Sequence, residues 1–193
     1  MTGTDTGLIR SRLKIETQPF HARLEFEVGL AAPSLTISRY RDLLTRFLGF
    51  YIPWEEKIYR QPPPLLDQFL VGRRKVPWLK QDLAYFGIDP ERQAQCSFVP
   101  SCAGFASALG SLYVIEGSTL GGQWTFRHLN STLGISQDAG GRFFYGYGPL
   151  TSAKWKQFEE LLSQCGQTED ADEIVRAAAD TFEAMSEWLR CAS

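Results

Sequence analysis

The sequence predicts a single all-α domain, built as a bundle of several helices. Almost every long segment repeats its apolar residues at helical spacing, alternating strand patterns are scarce, and no repeat or linker divides the 193 residues. A composition of 44% hydrophobic and 13% aromatic residues is typical of a chain that buries a core. We therefore expect one domain over residues 1–193, with residues 1–7 disordered.

Pro19 interrupts the first helical segment. Its ring clashes with the carbonyl group of Ile15, and its missing N–H removes one backbone hydrogen bond. We expect a kink there, or a fresh helical start just before His21.

A second helix is indicated by apolar residues that recur at helical spacing from Leu35 to Trp54. Ser34 or Thr36 can cap its start, and the prolines at 62–64 forbid any helix beyond them.

The remaining elements are also predicted to be helical. A short helix over 78–86 stops at Gly87, and residues 101–133 form the longest apolar stretch. A glycine- and aromatic-rich connection follows over 134–149, which we call the connection. Two amphipathic helices complete the chain, over 151–164 and 168–190.

Composition and charge exclude several classes of function. Twenty basic and 22 acidic side chains give a formal net charge of −2, which does not favour nucleic-acid binding. No apolar run reaches the roughly 18 residues needed to cross a bilayer, and no signal peptide is visible. The four cysteines contain no C-x-x-C pair, so they are expected to be reduced thiols rather than zinc ligands. We expect a cytoplasmic protein that binds neither nucleic acid nor membrane.

The basic run Arg73-Arg74-Lys75 has two interpretations. It is either a solvated loop or a docking patch for an acidic partner.

Of the two histidines, His21 carries the stronger signal. A helix through this segment places it on one face with Leu13, Thr17, Leu24 and Val28, so that it should point inward among apolar groups. An inward histidine can simply be a core residue. Glu25, one turn later, favours another interpretation, because it could accept the Nδ1 proton and leave Nε2 free to bind a metal. His128 is expected to be a surface or packing residue.

A glycine-rich helix carries the second signal, at Gly110, Gly117, Gly121 and Gly122. Each glycine costs a helix about 1 kcal/mol relative to alanine. Gly117 and Gly121, one turn apart, leave bare backbone on one face, which admits either a neighbouring helix or a flat ligand. The P-loop alternative fails because Gln123-Trp124 replaces Lys-Ser/Thr, and a membrane G-x-x-x-G fails because of Glu116.

Together these signals suggest a site for a flat iron macrocycle. Such a group needs an axial imidazole on one face and room for a diatomic ligand on the other. Lys14, two turns before His21, and Arg127, beyond the glycines, could pair with its carboxylates.

These residues resemble a known family, the bacterial heme oxygenases, particularly those that accompany bacteriophytochromes. The resemblance lies in L-K-x-x-T-x-x-x-H-x-x-L-E at 13–25, Y-V-I-E-G-S-T-L-G-G at 113–122, and the aromatic residues at 143–147. It spans nearly the whole chain in length and helical order.

The resemblance implies that heme lies between a proximal and a distal helix. Heme would be cleaved by oxygen, with electrons from a ferredoxin- or reductase-type donor, into biliverdin, carbon monoxide and ferrous iron. The biliverdin would supply a bacteriophytochrome. His21 would bind the iron, and Gly117, Ser118 and Gly121 would form the catalytic distal face. The substrate contacts implied by the motifs are Lys14, Thr17, Glu25, Tyr113, Gly122 and, less directly, Arg127.

One departure bears on catalysis. The animal branch of the family has an acid after the first distal glycine, where this chain has Ser118, so the route by which protons reach the distal face is left open.

Two further functions fit the same residues. A non-catalytic heme-binding protein would keep the histidine and glycines, and a helical interaction module without cofactor would need the glycines only for packing.

Overall fold

The computed structural model describes residues 4–164 and 170–190, and within these residues every regular element is helical. The α-helices are α1 Thr4–Glu16, α2 Gln18–Val28, α3 Ile37–Arg60, α4 Asp67–Leu70, α5 Val76–Tyr85, α6 Phe105–Leu133, α7 Arg142–Tyr145, α8 Thr151–Gln164 and α9 Ala171–Arg190. Short 3-10 turns lie at Pro64–Leu66, Pro90–Arg92 and Gly148–Leu150. The predicted all-α fold is confirmed. Disorder over residues 1–7 stays a prediction for residues 1–3, which lie outside the described part of the chain, whereas residues 4–7 belong to α1.

The predicted break before His21 is present. Only Thr17 separates α1 from α2, and Pro19 lies in the first turn of α2, where a missing N–H costs no helical hydrogen bond. The amide of His21 donates to the carbonyl of Thr17 at 3.0 Å, so the chain re-enters a helix at once. The backbone at Thr17 stays in the helical region, so the break is a local one.

Helix α3 begins and ends as predicted. Thr36 caps it by accepting a hydrogen bond from the amide of Arg39 at 3.2 Å, and it ends at Arg60, before the prolines. Pro53 lies inside this helix and cannot donate to the carbonyl of Gly49. That carbonyl instead accepts from the amide of Cys96 at 2.9 Å.

The longest helix, α6, packs on α9. Gly110 allows this close approach, because a Cβ atom at this position would lie 2.2 Å from the carbonyl oxygen of Ile174. At Gly110, therefore, the helix-packing interpretation of the glycines is correct.

Helix α9 also supports α2, so the two helices with the candidate residues rest on the same element. Helix α8 packs beside α1 and α6.

None of the described helices is long and apolar enough to span a membrane. Cys96 and Cys102 are free thiols, whereas Cys165 and Cys191 lie outside the described residues, and a cytoplasmic location stays a prediction.

Candidate functional site

His21 is more exposed than the helical periodicity predicts. The other members of its face, Leu13, Thr17, Leu24 and Val28, are all buried, but 52% of the His21 side chain is exposed. Its ring contacts α9 edge-on at Phe182, with the ring centroids 5.6 Å apart. The expectation that His21 points inward among apolar groups is wrong for about half of its side chain, which is exposed, while its ring packs on Phe182.

Glu25 takes the predicted place beside the imidazole. Its Oε2 atom lies 3.6 Å from Nδ1 of His21, one helical turn away. At this distance the contact is an electrostatic one rather than a short hydrogen bond. Nε2 of His21 has no hydrogen-bond partner among the described residues, so this nitrogen can bind a ligand.

The glycines of α6 differ in what surrounds them. A Cβ atom at Gly117 would lie 3.7 Å from the ring of Trp155, which is ordinary contact, and at Gly121 no atom lies within 4 Å. We call Gly117 and Gly121 the glycine strip. A Cβ at Gly122 would lie 3.3 Å from the carbonyl oxygen of Phe144, so Gly122 is buried against the connection. Gly122 thus serves packing, and its predicted contact with the substrate is not supported.

The chain brings Thr17 and Tyr113 near each other beside the start of the glycine strip. Tyr113 lies one turn before Gly117, and Thr17 lies one turn before His21. Thr17 is buried and donates to the carbonyl of Leu13 at 2.6 Å. His21 and the glycine strip each follow this point of approach by one turn.

Ser118 is hydrogen-bonded to Tyr51, a residue that was not predicted to belong to the site. The hydroxyl of Tyr51 on α3 lies 3.3 Å from Oγ of Ser118, which itself donates to the carbonyl of Ile115 at 2.9 Å. Ser118 must therefore accept the Tyr51 proton. Burial raises the pKa of Tyr51, with the carboxylates of Glu116 and Glu55 acting in the same direction, so its hydroxyl stays protonated.

The remaining predicted contacts lie at the surface. Lys14 and Arg127 are exposed and form no ion pair with the described residues. His128 stacks on Trp124 with the ring centroids 5.6 Å apart, and it is a packing residue as expected.

The basic run is neither a solvated loop nor a docking patch, and both predictions for it are wrong. Arg73 is 2% exposed and Lys75 is 0% exposed, and both donate to the carboxylate of Glu116. The Arg73 Nη1 to Glu116 Oε2 distance is 2.5 Å, and the Lys75 Nζ to Glu116 Oε1 distance is 2.9 Å. Only Arg74 is exposed, where it pairs with Glu55. We call Arg73, Lys75 and Glu116 the charge cluster.

Tyr147 of the connection completes the charge cluster. Its hydroxyl donates to Oε1 of Glu116 at 2.9 Å and accepts a hydrogen bond from Lys75. Burial lowers the pKa of Lys75 to about 8, against the opposing effect of Glu116.

One signal could have revealed this arrangement. Glu116 lies in the middle of the longest apolar stretch of the chain, and a buried carboxylate needs a cationic partner. The only three consecutive cations in the sequence are those at 73–75. From the sequence alone, Glu116 had served only to exclude a membrane helix.

The geometry fits a large flat ligand that carries a metal ion. It offers one exposed imidazole on α2 and, at Gly121 of α6, main chain with open space beside it. Within the described residues no group of three or more His, Cys, Asp or Glu side chains could hold a metal ion by itself. A metal bound at His21 would therefore need most of its ligands from elsewhere, as a porphyrin supplies them.

Comparisons with known proteins point to one family. The model of the family described as heme oxygenase matches residues 9–191. Two curated relatives have the same name. The heme oxygenase of Xanthomonas campestris is 29% identical over 126 residues, which is 65% of this chain and 72% of that protein. The heme oxygenase PigA of Pseudomonas aeruginosa is 27% identical over 191 residues, which is 96% of this chain and 93% of that protein.

A solved structure supports the fold. The chain superimposes with a TM-score of 0.77 on the heme oxygenase of Neisseria meningitidis, whose structures were determined with nitric oxide and carbon monoxide bound. The match covers 94% of this chain and 90% of that one at 22% identity, so it supports the fold alone.

Proposed function

The chain belongs to the heme oxygenase family of oxidoreductases, because the family model matches it from residue 9 to residue 191, and from this premise we propose a reaction and a site. The protein binds heme between His21 of α2 and the glycine strip of α6. It cleaves heme, with oxygen and electrons from an external donor, to biliverdin, carbon monoxide and ferrous iron.

The observation that carries the proposal is the pairing of a ligand-free imidazole with bare main chain. Nε2 of His21 has no partner among the described residues, and Nδ1 faces Glu25 at 3.6 Å. A carboxylate beside Nδ1 fixes the tautomer and raises the basicity of the other nitrogen. His21 is therefore suited to bind heme iron through Nε2.

The glycine strip supplies the opposite face. Because Gly121 has open space where a Cβ would project, the main chain of α6 can approach a flat ring closely. Close main chain leaves an iron-bound diatomic ligand only a sideways orientation. We infer that this is how the chain directs the reaction to the edge of the macrocycle.

Ser118 and Tyr51 hold protons beside this face. Tyr51 donates to Oγ of Ser118, and burial keeps the Tyr51 hydroxyl protonated. No carboxylate takes this place, so the pair can order a water molecule without supplying a strong acid. Lys14 and Arg127, both exposed and without ion pairs in the described part of the chain, could pair with the heme propionates.

The proposal is tested with His21→Ala. Heme titration of the parent should give a Soret band of an imidazole-bound heme, and the variant should lose that band or bind heme at least about 100-fold more weakly. Because His21 is exposed, both proteins should unfold at the same denaturant concentration. Equal heme spectra for parent and variant would exclude His21 as the ligand.

A second measurement separates catalysis from storage. Heme-loaded protein, exposed to oxygen with a ferredoxin-type donor, should lose the Soret band and gain the absorption of biliverdin. An oxygen complex that persists unchanged would instead indicate a non-catalytic heme carrier.

We propose a bacteriophytochrome as the acceptor of the product. The resemblance of 13–25 and 113–122 to the oxygenases that accompany these receptors supports this partner. Biliverdin made by this protein should produce the far-red absorption of a bacteriophytochrome apoprotein present in the same reaction. An apoprotein that stays colourless while free biliverdin accumulates would contradict the partnership.

A further inference from the structure

The glycine strip cannot fix its own orientation. Gly117 and Gly121 have no side chains, so these two residues supply no side-chain contact that fixes the rotation of α6 about its axis. Side chains on other faces of the helix must do so. A rotation of about 10° would move a Cα atom by about 0.4 Å, since Cα atoms lie about 2.3 Å from the helix axis.

Three residues at helical spacing hold α6 from another side, namely Glu116, Thr119 and Gln123. The amide of Gln123 donates to the carbonyl of Gly148 at 2.9 Å, and Thr119 packs so closely on Gly146 that a Cβ there would lie 2.8 Å from its methyl group. Glu116 accepts from the hydroxyl of Tyr147. All three contacts are made with the connection.

Of these three residues only Glu116 is charged. Its partners Arg73 and Lys75 are held in place by further contacts. Arg73 stacks 3.8 Å over the ring of Phe69 and donates to Oε1 of Gln157 on α8 at 2.9 Å. The amide of Lys75 donates to the carboxylate of Glu55 on α3. Glu116 thus connects α6 to α3, to α8 and to the connection through charge-assisted hydrogen bonds, which are the stronger and more directional kind.

We propose that Glu116, held by Arg73 and Lys75, is a positioning residue for heme cleavage. It fixes the rotation of α6 and so determines which edge of the macrocycle the glycine strip exposes to attack. The inference rests on the proposed function, since it concerns heme held against that strip. Glu116 is buried behind the glycine strip and acts through α6 rather than by touching heme.

The test replaces Glu116 with glutamine, which keeps its size and removes its charge. Two properties of heme-loaded Glu116→Gln are measured, the ratio of biliverdin isomers after a single turnover and the rate of carbon monoxide release from the reduced protein. We expect a mixture of isomers in place of one, and a change of about tenfold in the release rate. A purely structural role would lower stability without moving either property.

Glu55→Gln is the matched control. Glu55 is 2% exposed and Glu116 is 3% exposed, and both carboxylates contact Lys75, but Glu55 accepts from amides at the start of α5 and forms no hydrogen bond with the described residues of α6. The control should lose stability and keep the parental isomer ratio and release rate. If Glu116→Gln behaves like Glu55→Gln in both properties, the proposal is wrong, while heme binding by His21 would stand unaffected.

A milder variant decides the question if Glu116→Gln is not recovered folded. Tyr147→Phe removes the hydroxyl that donates to the same carboxylate and accepts from Lys75, and it leaves the charges balanced. It should shift the release of carbon monoxide by a factor of about two or more, with the parental Soret spectrum. A release rate and isomer ratio equal to the parental ones would overturn the proposal.

Discussion

The two helices of the candidate site hold their polar groups in opposite ways. On α2 the two candidate groups are exposed, with 52% of the His21 side chain and 71% of the Glu25 side chain in solvent, and the helix rests on α9 through apolar residues and through Glu27, which accepts from Ser186. On α6 the atoms proposed to face the ligand are main chain, and the charged side chain beside them, Glu116, is buried.

The difference suggests that the polar side chains of α2 serve ligand binding, whereas the buried charge on α6 serves the stability and position of that helix. A change in the polar groups of α2 should alter ligand binding and leave the fold intact. A change in the polar groups of α6 should alter the fold first and reach the ligand only through the position of the helix. Four predictions follow from this contrast, beginning with the largest effect.

The same substitution should have very different effects on the two helices. Glu116→Gln removes the carboxylate that both buried cations, Arg73 and Lys75, contact with their side chains, and it should lower the free energy of unfolding by about 3 kcal/mol. Glu25→Gln removes an exposed carboxylate and should change it by less than about 0.5 kcal/mol. Urea unfolding of both variants measures the two values. Equal losses would contradict the contrast.

Alanine in place of glycine should have opposite effects at two positions of α6. At Gly110 the new Cβ would lie 2.2 Å from a carbonyl oxygen of α9, so Gly110→Ala should destabilise the protein by about 2 kcal/mol. At Gly121 it would enter open space, so Gly121→Ala should stabilise the heme-free protein by about 1 kcal/mol. Thermal unfolding measures both effects, and Gly121→Ala should also weaken heme binding. Destabilisation by both variants would show that Gly121 is packed.

The connection packs against α6 and is held by Asp82 of α5, so the free energy of unfolding should depend on pH through this residue. Its buried carboxylate accepts from the amides of Arg142 and Phe143 in the connection, and burial raises the pKa of Asp82 from 3.8 to about 6. Between these values the folded protein binds the proton more tightly than the unfolded chain does. Stability should therefore fall as the pH rises from about 4 to 6, by up to about 1.4 kcal/mol per pH unit.

Asp82→Asn checks this prediction, because it removes the titrating group. Its free energy of unfolding, measured in urea between pH 4 and pH 7, should lack the slope that the parent shows. A slope that persists unchanged in the variant would assign it to other carboxyl groups.

The smallest effect concerns Glu25 and the ligand. Loss of its charge beside Nδ1 should make His21 a weaker ligand, so Glu25→Gln should bind heme about tenfold more weakly. Glu16→Gln is the control, since Glu16 on α1 is exposed and pairs with Arg12 instead. Heme titration compares them, and equal affinities would remove Glu25 from the site.

Local signals predicted most of the helices. Pro19 marked the start of α2, Thr36 the start of α3, and the amphipathic pattern the extent of α8, because each of these depends on residues within a few positions. The same local reasoning failed at His21. Periodicity gives the direction of a side chain but does not show whether a neighbouring element covers it.

Contacts between residues far apart in the sequence could not be predicted from local patterns. Nothing near the run at 73–75 shows that Arg73 and Lys75 are buried, because their partner Glu116 lies more than forty residues later. Tyr51 and Tyr147 were missed for the same reason. A buried tyrosine looks like any core aromatic residue until the group on its hydroxyl is known.

Pro53 has a consequence for the segment between α5 and α6. Because it frees the carbonyl of Gly49, the middle of α3 offers the amide of Cys96 an acceptor that an unbroken helix would not provide. This segment has only one 3-10 turn of its own, so amide protons along it should exchange rapidly with deuterium. The amide of Cys96 should be a slow exception, protected by an irregularity in the helix beside it.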